Sequence, residues 1–232
     1  MATFVLVHGA WSGAHTWRKV RPLLRSAGHE VFTPSLTGLG ERIHLASPQV
    51  TLNTHVQDVV NMVRFEDLSD FVLLGYSYGG MVVTGALQHI ADRVKHLVYL
   101  DAFVPKDGQS LYGLTGQSPA EDFGQNWLIA PQPREFDDPA EAAWAQARRV
   151  PQPRGCFTEP VHLAQPLEQY PFTRTYIKAT LPPRSTGGST AFWKAADHAR
   201  SSGLWRYAEI ETNHMVPNNK PQELAGLLLE LA

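Results

Sequence analysis

The sequence predicts an α/β fold: a six-stranded, mainly parallel sheet with helices on both faces. Three observations predict it. Short apolar runs alternate with stretches of helical apolar spacing, which calls for a parallel sheet covered on both sides. Glycine and proline punctuate the junctions between them. One long irregular stretch, residues 103–172, interrupts the alternation. It is too long for a simple connection and too apolar for a disordered linker. It reads as an inserted, partly helical cap over the edge of the sheet where open α/β folds bind ligands, within one domain spanning residues 1–232.

Each element has its own signal. Residues 2–7 cluster Phe4, Val5, Leu6 and Val7 as in a buried strand. Residues 16–27 carry Trp17, Val20, Leu23 and Leu24 at helical spacing, and Gly28 ends the run. A strand over 30–33 stops at Pro34, and Gly38, Gly40 and Pro48 mark a long loop. Residues 52–65 line up Val56, Val59, Val60 and Val63 on one helix face. A strand at 71–74 runs into a helix at 81–90, and a fourth strand follows at 94–100. Helix-like pieces at 120–128 and 139–148 lie in the irregular stretch. Regularity returns with a strand at 174–179, a helix at 191–200, a strand at 205–211 and a helix at 222–231.

Composition narrows the classes. With 43% hydrophobic and 18% charged residues, the chain reads as an ordinary globular protein. A net charge of −2 gives no basic patch for nucleic acid, and no apolar run is long enough to span a bilayer. Cys156 is the only cysteine, so no intrachain disulfide exists, and a packed role suits it better than a catalytic one. Apolar residues start directly after Met1, without the basic start or cleavage site of a signal peptide, so the expected location is cytoplasmic.

The chemistry centres on Gly75-Tyr76-Ser77-Tyr78-Gly79, between the third strand and its helix. G-x-S-x-G in that context is a nucleophile elbow. The tight turn lifts the serine hydroxyl above the sheet edge, and the flanking glycines avoid collisions with strand and helix. A serine needs a base, which in this order comes last in the chain. His214 follows the last strand and is the candidate; the other nine histidines lack that placement. The acid is harder to place. The loop 180–188 holds no carboxylate, whereas Asp101 ends the strand beside that of Ser77. Asp101 is the favoured acid, with Asp107 as runner-up. The oxyanion donors expected are the N–H groups of Tyr78 and of Ala10, with Gly9 allowing close approach and His8 bracing the loop. A phosphate-binding loop is the rival reading there, but no lysine follows in P-loop spacing.

These residues resemble the α/β-hydrolase-fold serine esterases, most closely the plant methylesterase and hydroxynitrile lyase branch. The matching segments are Phe4 to Ala10 with Trp17, Pro22-Leu23-Leu24 leading to Ala27-Gly28-His29, Gly75 to Met81, Ala102 to Pro105, Asn126-Trp127-Leu128 and His214-Met215. The resemblance implies hydrolysis of small, apolar carboxylic esters, without metal or organic cofactor, and suggests a homodimer. Where the lyases look for threonine and lysine, this chain has Gly9 and Met215, as in the esterases. The branch keeps its acid after the fifth strand, and the plant esterases look to carry alanine where Asp101 stands; a relocated acid accounts for both differences. Candidate substrate contacts are Gly9, Trp11, Phe103, Phe123, Trp127 and Met215, with Phe136 and Trp144 as further cap aromatics. Lactonase or thioesterase activity, or a slowly turning ligand receptor, are the alternatives.

Overall fold

The computed structural model of the chain describes residues 1–117, 126–182 and 190–232. Alternation along the first strand sets up two cores. In β1 (Thr3–Val7), Phe4 and Leu6 enter one buried cluster, and Val5 and Val7 enter the other. A period of two sends neighbouring side chains to opposite faces, so both faces must be covered. Then follow α1 (Val20–Ser26), β2 (Glu30–Phe32), α2 (Leu52–Phe65), β3 (Phe71–Tyr76), α3 (Gly79–Ile90) and β4 (Val94–Leu100). The next elements are short: α4 (Leu111–Thr115), β5 (Leu128–Ile129), α5 (Pro139–Gln146), β6 (Gln152–Pro153) and α6 (Gly155–Thr158). The chain ends with β7 (Thr173–Ala179), α7 (Thr190–Ser201), β8 (Arg206–Ile210), α8 (Val216–Asn219) and α9 (Pro221–Leu229).

Six strands form one sheet in the order β2-β1-β3-β4-β7-β8, with every neighbouring pair parallel. The expected α/β architecture is present, and its sheet is parallel throughout. α1 and α9 cover one face; α2, α3 and α7 cover the other. The chain leaves β1 for β2 on one side and returns to β3 on the other. That reversal separates the loops after β1 and β3 and opens the crevice where such sheets bind ligands. β5 and β6 form a separate antiparallel pair.

Two elements differ from the sequence expectation. The helix expected at 16–27 is a 3₁₀ turn, Ala14–Trp17, followed by α1. Pro22 explains the break: it has no N–H for the Arg18 carbonyl, and its ring would strike that carbonyl in a continuous helix. A proline is tolerated only in the first turn, so the helix restarts beside it. The helix-like piece at 120–128 ends instead in β5, and residues 118–125, including Phe123, lie outside the described residues. Among the described residues, no helix is long and apolar enough to cross a membrane.

Candidate active site

Ser77 sits in the turn from β3 to α3 with φ at +56°, a region that non-glycine residues rarely adopt. The surroundings hold it there. Its N–H donates to the Leu100 carbonyl at 3.2 Å, and its carbonyl accepts from Gly80 and Phe103 at 3.1 and 3.2 Å. The flanking glycines are required by contact. A Cβ at Gly75 would stand 2.7 Å from the Gly79 carbonyl oxygen, and one at Gly79 would stand 2.6 Å from that of Val7.

The loop after β1 closes on the same serine, with a Cβ at Gly9 falling 3.0 Å from that of Ser77. His8 braces this loop. Its Nε2 accepts from Leu36 N–H at 3.1 Å, so the proton lies on Nδ1, which donates to the Gly9 carbonyl at 2.8 Å. Burial pushes the His8 imidazole down to about 3 and keeps it neutral. Trp11 ties the loop to β5 and β6: its N–H donates to Gln152 Oε1 and its indole N–H to the Ile129 carbonyl, both at 2.9 Å. The Ala10 and Tyr78 N–H groups donate to no protein acceptor among the described residues. Tyr78 follows the serine directly in the chain, and Ala10 lines the same cleft as Ser77.

His214 follows β8 and precedes α8. Its Nε2 lies 2.9 Å from Ser77 Oγ, and its Nδ1 lies 2.7 Å from Asp101 Oδ2. The ring is held between Tyr76, 5.0 Å away between centroids, and Phe192, stacked at 5.2 Å. The Tyr76 hydroxyl donates to the His214 carbonyl at 2.6 Å, fixing the loop as well as the ring. Asp101 caps β4 with φ at +39°, and its N–H donates to the Ile177 carbonyl at 2.7 Å.

Behind the aspartate stands a residue the sequence reading missed. Lys178 Nζ donates to Asp101 Oδ1 at 2.6 Å and also to the Ala179 carbonyl. Both side chains of this ion pair are nearly sealed from water, 5% and 3% exposed. The signal lay in the strand register. Leu100 of β4 pairs with Ile177 of β7, which sets Asp101 opposite Lys178. Burial works to raise the Asp101 carboxyl, but the hydrogen bond and charge of His214 and the charge of Lys178 outweigh it and hold it below its usual range. Burial lowers the His214 imidazole; Asp101 opposes this, while Arg134 and Lys178 add to it, and the balance lies below the ordinary histidine value.

Gly9, Ala10, Trp11 and Met215 line a narrow cleft over Ser77 with a volume of about 40 Å³. Phe136 and Trp144 enter it from the stretch between β4 and β7, together with Arg134 and Arg149. Phe103 lies outside this cleft. It packs on Phe192 at 4.7 Å and borders a second groove with Leu114 and Trp205. Trp127 is also outside the cleft, its carbonyl accepting from Arg154 N–H at 2.7 Å. Asp107 is 65% exposed and bonds Leu163 N–H at 3.0 Å, away from His214. Cys156 is buried, and burial pushes its thiol up to about 12, an unreactive state.

The profile of the alpha/beta hydrolase family spans residues 4–227. The chain belongs to this family. Within it, a carbendazim hydrolyzing esterase from Nocardioides sp. (strain SG-4G) is 42% identical over 250 aligned residues, covering all of both chains. An alpha-hydroxynitrile lyase of Arabidopsis thaliana is 33% identical over 103 residues, 44% of this chain and 40% of its own length. Among solved structures, an extracellular α/β-hydrolase from a Paenibacillus species superposes with a TM-score of 0.79 at 30% identity. That comparison covers 100% of this chain and 99% of the other, which is described as homologous in structure and function to tobacco salicylic acid binding protein 2.

Proposed function

We propose that this α/β hydrolase is a serine esterase that cleaves small carboxylic esters through an acyl-enzyme on Ser77. The observation that carries the reading is the unbroken relay from Asp101 through His214 to Ser77, with the unpaired amides of Tyr78, next to the serine in the chain, and of Ala10, in its cleft, available to an oxyanion. The lowered imidazole keeps His214 neutral at pH 7, ready to act as a base. Ser77 Oγ attacks the ester carbonyl carbon as His214 Nε2 takes its proton. The Ala10 and Tyr78 amides hold the oxyanion; one such donor is worth about 3 kcal/mol of barrier. The imidazolium then protonates the leaving alkoxide, and the alcohol departs. Water, deprotonated by His214, attacks the acyl carbon and releases the acid and free Ser77. Asp101 orients the ring and stabilises its cation.

The cleft of about 40 Å³ suits a short acyl or alkoxy group. Within a single domain, we read residues 103–172 as a cap that contributes Phe136 and Trp144 to that cleft. The lone Cys156 supports a reducing, cytoplasmic setting, and the resemblance to plant esterases supports a homodimer. A ligand receptor with slow turnover is the second reading, favoured by the stated likeness of the Paenibacillus protein to a salicylic acid binding protein. The test is labelling with a fluorophosphonate probe, together with turnover of p-nitrophenyl acetate and butyrate. Covalent label on Ser77 and rapid turnover are expected. Label without turnover supports the receptor, and no label overturns the serine-nucleophile reading.

A further inference from the structure

Two arginines line the cleft that holds the nucleophile, and among the described residues neither meets an acid. Arg134, ahead of α5, and Arg149, just after it, both line the cleft that holds Ser77 and His214. Both are half-buried. Among the described residues, no carboxylate lines that cleft. Four arginines elsewhere meet acids: Arg18 meets Glu141, Arg42 meets Asp58, Arg93 meets Asp67 and Arg200 meets Glu209. Others, such as Arg21, Arg25, Arg148 and Arg174, bond neutral oxygens outside the cleft. Among the described residues, Arg134 and Arg149 have no such partner.

Their hydrogen bonds are few and neutral. Arg134 Nη1 donates to the Pro133 carbonyl at 3.2 Å, and Arg149 Nη1 donates to the Gln132 carbonyl. Each guanidinium has five N–H donors, so most of the fork remains open. The Arg149 group also lies 5.8 Å from the centre of the Trp11 ring, next to the loop that carries the free Ala10 amide. Two like charges gathered in a half-desolvated cleft repel each other. Burial and the charge of Arg134 push the Arg149 guanidinium down to about 10. An anion placed between them removes both penalties, and a carboxylate matches the planar fork in a bidentate pair.

We infer that Arg134 and Arg149 form a carboxylate-binding subsite, and that the preferred substrates are half-esters of short dicarboxylic acids. The inference rests on the esterase reading and adds a substrate class to it. The small volume over Ser77 accepts the reacting ester, while the free carboxylate lies at the two arginines. Water cleaves the single ester bond to give a dicarboxylic acid and an alcohol, and the second carboxylate passes through unchanged.

The test measures binding apart from turnover. In the Ser77→Ala protein, calorimetry compares monomethyl glutarate with dimethyl glutarate. The half-ester is expected to bind at least about tenfold tighter, as a charge-assisted fork demands. Arg149→Gln in that background should bring the two affinities to within about threefold, and Arg134→Gln should do so in part. Arg148→Gln, which removes a cation stacked on Trp144 but not lining the cleft, should leave the preference in place. Equal affinity for the two esters, or a preference that survives the loss of both cleft arginines, would overturn the subsite. Should wild-type protein fail to label at Ser77, the esterase reading falls while the binding ratio still decides the subsite.

Discussion

Asp101 and Glu141 are both buried carboxylates, each with a side chain only 3% exposed and each gripping a lysine, at 2.6 and 2.9 Å. They differ in where their cations stand. Lys178, behind Asp101, is 5% exposed, whereas Lys19 and Arg18, on Glu141, are 32% and 36% exposed. A cation that can turn to water loses little when its partner goes. One sealed in the interior cannot, and a buried charge left unpaired is costly. The strand-edge pair is therefore a mutually dependent assembly holding a histidine. The pair on α5 fastens that helix to the residues just ahead of α1.

The largest effect should come from Asp101→Asn. Loss of the carboxylate leaves His214 unoriented and its cation unsupported, and kcat should fall by roughly 10²–10⁴. The same change leaves Lys178 buried without an anion, which should cost about 3–5 kcal/mol of stability. Adding Lys178→Met separates the two consequences. The double variant should recover most of the stability in urea denaturation and none of the turnover. Turnover returning with stability would mean that Asp101 acts on folding alone.

Lys178→Met by itself should move the pH profile. His214 is faced by Asp101, which raises its imidazole, and by Arg134 and Lys178, which lower it. Removing the lysine removes a lowering charge, so the imidazole rises. Catalysis uses the neutral ring, so protonation at higher pH moves the acid limb of kcat/KM upward. Activity on the acid side of the ordinary histidine value, about 6.5, should drop relative to pH 8 in a kcat/KM titration. An unmoved limb would reduce Lys178 to a packing role.

What the sequence made legible follows the same division. Ser77 and His214 were placed by local pattern and chain order, since an elbow needs its glycines and a base needs its loop. Asp101 was reached by elimination from a loop without carboxylates. Lys178 was missed because its partner is 77 residues away, and only the pairing of β4 with β7 brings the two together. Between β4 and β7 the described elements are two to eight residues long, so periodicity is weak, and only the longest, α5, answers to a helix-like piece of the sequence, that at 139–148. Side-chain type alone did not tell which aromatics face the serine: Phe136 and Trp144 do, Phe103 and Trp127 do not. Arg134 and Arg149 carry no sequence signal, since a lone arginine in an irregular stretch is ordinarily a surface residue.

The smallest effect is expected on the exposed side of the comparison. Glu141 stands in the first turn of α5, where its carboxylate takes bonds from Asn218 Nδ2 at 2.7 Å, from Lys19 and from Arg18. Glu141→Gln keeps the shape and an acceptor for Asn218 but drops the charge. Lys19 and Arg18 can then swing into solvent, so thermal denaturation should register a loss of about 1 kcal/mol or less. Asn218 lies on α8, four residues beyond His214, so a slight loosening can reach the catalytic loop. Turnover at pH 8 should still stay within about twofold, since His214 keeps Asp101, Tyr76 and Phe192 around it. A loss as large as that of Asp101→Asn would mean that cation exposure is not what separates the two acids, and that α5 is integral to the same assembly.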